Sequence, residues 1–388
     1  MPNHLLSATK IHDGYRFLPA GSALEVAPDG SIAAIYNYTP EGAAHFEGVL
    51  CPGFVNAHCH LELSHMRNVI PRGTGLIPFL QSVVRQRTGF MDEQKEAARH
   101  EAYQELLQQG IVAVGDIANT TDTLDLRMMG KMHMHTFVEC IGFTDSGASA
   151  RLIAAAETKA VFEAQSSDGD VQLRQSLAPH APYSVSPALL RLISEAEADA
   201  LVSIHNQEGF AEDEYYRHKT GDVRNLLEGF AIDDRFFEAT GKSSLQSYLP
   251  LLGEGHPLIL VHNTCSSAED VAFAQHREIK PFWCLCPNAN LYIEDRLPDV
   301  DMIAAHTDRV CIGTDSLASN SRLSILAELQ VLREAFPGIG WERLLHWATS
   351  GGARALMMGD LVGSFAVGMK PGVLHIPSLE GSAVNRLI

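Results

Sequence analysis

The stretch Gly53-Phe-Val-Asn-Ala-His58-Cys-His60-Leu-Glu62-Leu-Ser-His65-Met66 follows the apolar run Val49-Leu50-Cys51-Pro52 and reads as a buried strand closing on two histidines. A period of two puts His58 and His60 on one side of that strand. Histidine is abundant, 18 of 388 residues, so roughly one His-x-His pair is expected by chance. A second pair, His133-Met-His135, serves as an internal control. What separates the two pairs is their position on their strands, so the strand pattern of the whole chain decides between them.

Eight strand-like runs are visible: Leu50–Ala57, Ile111–Ile117, His133–Ile141, Val171–Leu177, Leu201–His205, Leu258–His262, Ile279–Cys286 and Arg309–Gly313. Helix-like stretches lie between them. One is Asp92–Gln109, with an apolar face at Ala97, Ala98, Ala102, Leu106 and Leu107; others are Ser149–Ala164, Pro187–Ala198, Ala268–His276 and Leu323–Ala335. Strands alternating with helices imply parallel βαβ units, and eight of them predict an α/β chain whose residues 51–359 close as a (β/α)8 barrel of the TIM type. The ends break the pattern. Leu24–Tyr38 reads as a hairpin around Asp29-Gly30, and Lys370–Ile376 as a further strand. Residues 1–50 and 360–388 are therefore expected to meet as a small β-sandwich domain.

Bulk properties narrow the function. With 46% apolar residues and a formal charge of −18, the chain can bury a core but lacks the basic face of a nucleic-acid binder. No apolar run is long enough to span a bilayer, and the N-terminus lacks a signal-type core, so a cytoplasmic protein is expected. Seven scattered cysteines suit reduced, buried thiols.

In a (β/α)8 barrel, chemistry sits at the C-terminal ends of the strands and the opposite end serves stability. His58 and His60 close the first strand, whereas His133 and His135 open the third and read as structural. His180 follows the fourth strand, His205 closes the fifth, His262 closes the sixth, and Asp315 follows the eighth. Any one of these alone would read as a satisfied core residue. Their recurrence at strand ends points to a metal site, since imidazoles with a carboxylate suit Zn2+ or Fe2+.

These residues resemble the amidohydrolase superfamily, within it the branch of cytosine deaminases, chlorohydrolases and S-adenosylhomocysteine deaminases. The resemblance runs through GFVNAHCH, APHAPYSVS, the His205-x-x-Glu208 pair, LVHN, CPNANLYI, IGTDSLASN and the closing GVLHI. It implies one divalent metal, Zn2+ ahead of Fe2+, held by His58, His60, His205 and Asp315. Members with two metals usually carry a carboxylated lysine on the fourth strand; Val171–Ala178 contains no lysine, which supports a single ion. A bound cation lowers the pKa of water from 15.7 to about 7. The resemblance makes Glu208 the proton shuttle between water and a ring nitrogen. It makes His262 the group that orients the nucleophile, and Asp315 a proton carrier to the leaving ammonia. The plainer reading of Glu208 is a solvated loop carboxylate, since Glu212, Asp213 and Glu214 follow.

The resemblance also assigns His180 and Asn290 to the substrate pocket. Glu62 and His65, in an HLELS stretch like that of aminodeoxyfutalosine deaminases, are further candidates, although Glu62 would equally serve to buttress a metal ligand. Ser319 and Asn320 either line the mouth or cap a helix near Ser321. Two departures stand out. The family often has His-Leu-Ala-Glu where this chain has His205-Asn-Gln-Glu208, implying a more polar pocket wall. The segment Glu212–Ser247 matches no motif and reads as a lid or specificity insert. The expected activity is hydrolytic deamination of an amino-substituted purine or related heterocycle, a small molecule rather than nucleic acid. A homodimer is common in the family. The alternative is a hydrolase of the same design acting on a triazine-type or cyclic amide substrate. A catalytically dead binding barrel is disfavoured, because the ligands, Glu208 and His262 are all present.

Overall fold

The structure is a computed structural model that describes residues 2–165, 171–235 and 237–388. Its strands are His4–Ile11 (β1), Ala23–Val26 (β2), Ile32–Tyr36 (β3), Ala44–Pro52 (β4), Phe54–Cys59 (β5), Ile111–Ala118 (β6) and His133–Cys140 (β7). Leu173–Pro179 (β8), Val202–Asn206 (β9), Leu258–His262 (β10), Phe282–Leu285 (β11), Val310–Ile312 (β12), Val373–Ile376 (β13) and Asn385–Arg386 (β14) follow. Every residue of β5, β6, β9 and β10 is buried, as expected for parallel strands covered on both faces.

The strands of the central region form two parallel sheets, β5-β6-β7-β8 and β12-β11-β10-β9. Hydrogen bonds join these sheets at both seams. The His205 amide of β9 donates to the His180 carbonyl beyond β8 at 3.0 Å, and the amides of Thr314 and Asp315 beyond β12 donate to the His58 carbonyl of β5 at 3.0 and 3.1 Å. Gly313 permits the second approach, since a Cβ there would lie 2.8 Å from the His58 Cβ and 2.9 Å from the Cys286 sulfur.

Both chain ends enter one mixed sheet in the order β14-β13-β4-β1-β2-β3, packed around Leu6, Ile11, Leu24, Ile32, Leu50 and Val373. The expected hairpin is present as the antiparallel β2–β3 pair, with Gly30 at φ 87° in its turn. Among the described residues no helix is long and apolar enough to cross a membrane.

Two local expectations change. The run Leu50–Ala57 is not one strand: Leu50–Pro52 completes β4 in the end sheet, and β5 starts at Phe54. Gly53 marks the break, its amide donating to the Pro371 carbonyl at 3.0 Å. A Cβ at Gly53 would lie 2.2 Å from a Val112 methyl. The helix Asp92–Gln108 buries Arg99, Ala102, Tyr103 and Leu106, a helical i, i+3, i+4, i+7 row. Ala97 and Ala98 lie off that row and are not buried.

His12 fastens the end sheet to the rest of the chain. Its Nε2 donates to the Glu342 carbonyl at 3.0 Å and its Nδ1 accepts from the Gly14 amide at 3.2 Å, so the neutral ring fits both partners. Burial lowers its pKa to about 4 against the opposing Glu342 hydrogen bond. Between pH 6.5 and about 4 the unfolded chain takes up a proton that the folded chain refuses. Stability contributed by this site is present above 6.5 and falls with pH, by up to about 1.4 kcal/mol per unit. Urea unfolding at pH 7, 6 and 5 should show a shallower decline for His12→Asn than for the native chain.

Candidate metal centre and its cavity

The strand ends bring His58, His60, His205 and Asp315 into one buried cluster whose ligand atoms all lie within 4.8 Å of one another. The Nε2 of His60 is 3.1 Å from that of His58 and 3.4 Å from that of His205. Asp315 Oδ1 lies 3.5 Å from His58 Nε2 and 3.3 Å from His60 Nε2. His205 Nδ1 donates to the His180 carbonyl at 2.7 Å, which fixes the tautomer and aims the Nε2 lone pair inward. Burial and then His58 push His60 well below its ordinary pKa, and burial with His180 and His58 lowers His205 to about 4. Both rings are neutral at pH 7. Burial works to raise Asp315, but the His58 hydrogen bond and the facing imidazoles outweigh it and hold the carboxyl below the usual range. Converging nitrogen lone pairs beside a carboxylate lack a positive counterpart, and this donor set fits a divalent cation.

Glu208 and His262 stand beside this cluster, with Glu208 Oε1 3.5 Å from His262 Nε2. Burial, then Asp315, Glu212 and Glu294, raise Glu208 well above its ordinary value. Four residues other than glycine at or just past strand ends take left-handed backbone: Gln207 (φ 45°), His262 (74°), Asn263 (61°) and Asp315 (56°). Each costs about 1–3 kcal/mol, and such strain collects at functional sites. Asp315 is also held through Oδ2, which accepts from the Ser319 hydroxyl.

A cavity of about 510 Å³ opens onto the cluster, lined by His60, His180, His205, Glu208, His262 and Asp315. Its walls are mainly apolar: Phe79, Leu80 and Val83 from helix Leu76–Gln86, and Leu226, Phe230 and Ile232. The latter come from the Glu212–Ser247 segment, described except for residue 236. It forms most of a helix Phe210–His218, a helix Asp222–Gly229 and the start of a third, Ser244–Tyr248. His180 lines the cavity, its Nδ1 2.6 Å from the Ser184 hydroxyl.

The other pocket candidates are not among the lining residues. Glu62 accepts from the Asn119 amide and side chain, both at 2.8 Å. Asn119 also donates to Glu139 at 2.8 Å, and Glu139 Oε1 is 3.7 Å from His205 Nδ1. Glu62 thus buttresses through Asn119. His65 turns to the Arg87 carbonyl at 3.0 Å, Asn290 donates to the Thr264 hydroxyl, and Ser319 serves Asp315. Asn320 donates to Thr314 and Glu328; the helix cap is Ser324. Asn206 and Gln207 are fully buried and outside the cavity wall, which corrects the expectation of a polar wall there.

Glu139 and Asn119 were missed, although both sit at the end of a strand, where the rule that found His205 applies. Arg87 and Arg151 also line the cavity and carry no sequence signal. His133 and His135 lie at the far end of β7, where His135 Nε2 is 2.9 Å from the Ser176 hydroxyl.

Elemental analysis should find a single divalent ion per chain. His60→Ala and His205→Ala should each cut it at least tenfold, while His135→Ala, in the control pair, retains it.

The profile of the amidohydrolase family matches residues 49–376. An adenosine deaminase of Helicobacter pylori is 28% identical over 324 residues, covering 82% of this chain and 77% of that protein. An aminodeoxyfutalosine deaminase of Nitratiruptor sp. is 27% identical over 354 residues, covering 89% and 84%. The crystal structure of Helicobacter pylori aminofutalosine deaminase in complex with methylthio-coformycin superposes with a TM-score of 0.78 at 24% identity, covering 96% of this chain and 91% of that one. This last likeness shows the fold.

Proposed function

The chain belongs to the amidohydrolase family, and we propose that it hydrolytically deaminates an amino-substituted purine, releasing ammonia. In this reading the two parallel sheets close as one (β/α)8 barrel over residues 51–359, and residues 1–50 with 360–388 form a small β-sandwich domain beside it. The observation that carries the reading is the buried Glu208 carboxyl beside His262, at the edge of the four-residue cluster and inside an apolar cavity. The relatives named for adenosine and aminodeoxyfutalosine support the purine. The cavity volume also falls within the range of about 300–1,000 Å³ for small-ligand sites.

His58, His60, His205 and Asp315 would hold one divalent ion, Zn2+ in preference, whose Lewis acidity lowers the pKa of water toward about 7. The chain's own groups then manage the protons. Glu208 protonates the ring nitrogen next to the carbon that bears the amine and recovers a proton from the attacking water. His262 holds the nucleophile and the developing adduct. Asp315, kept ionised and oriented by Ser319, passes the second water proton to the departing ammonia. Water oxygen forms the new bond to carbon, the C–N bond breaks, and the ring nitrogen keeps the first proton. Exclusion of water by Phe79, Leu226 and Phe230 strengthens these polar interactions.

Arg87 and Arg151 also face this cavity, and neither guanidinium enters an ion pair among the described residues. They suit a substrate whose purine carries an anionic substituent.

Ammonia release by the metal-loaded protein should be measured against adenosine, S-adenosylhomocysteine, aminodeoxyfutalosine, guanine, cytosine and pterins. Glu208→Gln should lower kcat by about 10²–10⁴-fold on whichever purine turns over; unchanged turnover in that variant would remove Glu208 from the mechanism. Arg151→Ala should raise KM about tenfold for a carboxylate-bearing purine and leave adenosine unchanged, since a charge-assisted hydrogen bond contributes on the order of 1.5–3 kcal/mol.

A further inference from the structure

Gln207 sits between a residue of the metal cluster, His205, and Glu208, and it does not face the cavity. Its backbone is left-handed, φ 45°, a conformation that glycine adopts freely and glutamine does not. Every polar group of this fully buried residue is engaged. Its Nε2 donates to Asp213 Oδ1 and Asp270 Oδ2, both at 3.1 Å. Its Oε1 accepts from the Ser266 hydroxyl at 2.7 Å. Its carbonyl accepts from the Cys265 amide at 2.9 Å. Its own amide donates to Glu212 Oε1 at 3.1 Å, and the Ser244 hydroxyl donates to that same oxygen.

These anchors come from two directions: the segment past β9 supplies Asp213 and Glu212, and the loop and helix past β10 supply Cys265, Ser266 and Asp270. A left-handed residue here turns the chain so that residue 208 re-enters the cavity while the side chain at 207 leaves it.

We propose that Gln207 is a positioning residue, caged by Asp213, Asp270, Ser266 and Glu212 so that the left-handed turn after β9 is locked and Glu208 is aimed at His262. This rests on the reading of Glu208 as the proton carrier. The cage acts through side-chain hydrogen bonds that substitute for the conformational freedom a glycine would have had. Gln207 therefore affects the chemical step without touching substrate.

The test compares Gln207→Ala, Gln207→Gly and Glu208→Gln in the metal-loaded protein, with kcat, KM and metal content measured for each. Alanine removes the side-chain bonds to Asp213, Asp270 and Ser266 and still disfavours the left-handed backbone; glycine removes the same bonds and tolerates it. The expected order of kcat is native, then Gln207→Gly, then Gln207→Ala at least tenfold below native, with KM within twofold and metal content unchanged. A residue that merely fills space would make glycine the more damaging change, so kcat for Gln207→Gly at or below that for Gln207→Ala overturns the proposal. So does native kcat in Gln207→Ala while Glu208→Gln is inactive. Should Glu208→Gln itself turn over normally, the underlying reading fails, and the proposal with it. If Gln207→Ala does not fold, Ser266→Ala, which removes the donor to Oε1, should still lower kcat at constant KM; an unchanged kcat would count against the cage.

Discussion

The site depends on one close approach between strands far apart in sequence. The His58 carbonyl at the end of β5 accepts the amides of both Thr314 and Asp315, and this fixes Asp315 against the His-x-His pair. The approach exists because residue 313 has no side chain: a Cβ there would overlap the His58 backbone and side chain and the Cys286 sulfur. Removing that clearance would push β12 away from β5 and take the only carboxylate of the cluster with it. With the seam in place, three imidazoles and one carboxylate are forced together at 3.1–3.5 Å. Such an arrangement is electrostatically incomplete without a cation.

Around this centre the molecule divides its polar and apolar work. Behind the cluster, buried hydrogen-bond networks hold strained backbone. Asn263 donates its side-chain amide to the carbonyls of Leu260 and Cys284, Gln207 is held from two sides, and Ser319 fixes Asp315. In a low-dielectric interior such networks specify one geometry because every unmade hydrogen bond is costly. In front of the cluster, helices distant in sequence supply aliphatic and aromatic walls. The unmatched segment Glu212–Ser247 serves both sides. Its helix Asp222–Gly229 and the following turn face the cavity, whereas Glu212, Asp213 and Ser244 face the networks.

Charge is arranged on two length scales. The net charge of −18 disfavours anions at a distance, but beyond about 8 Å salt screens it. Inside the cavity, Arg87 and Arg151 place positive charge beside the acidic Glu139, Glu208 and Asp315. Composition therefore speaks to partners as large as nucleic acid, and individual side chains to a ligand small enough to enter.

Strand and helix alternation was legible from the sequence, as were His58, His60, His205 and Asp315, which the fold gathers into one cluster. Periodicities of 2 and 3.6 are local consequences of backbone geometry, and the four clustered residues lie at or just past strand ends whose positions those periods reveal. Position separated His58 and His60 from His133 and His135 without any structure. Glu139, near the C-terminal end of β7, occupies the same kind of position. Side-chain direction beyond a strand end was not legible. His65, Asn290 and Gln207 sit where chain order places them but do not line the cavity: His65 and Asn290 lie in short helices and bond to the Arg87 carbonyl and the Thr264 hydroxyl, and Gln207 takes a left-handed turn. By itself the sequence determined the order of elements and which atoms can bind a cation. Only the tertiary structure decided what lines the cavity, because a wall made from residues 76–86 and 226–232 depends on long-range packing that no local pattern encodes.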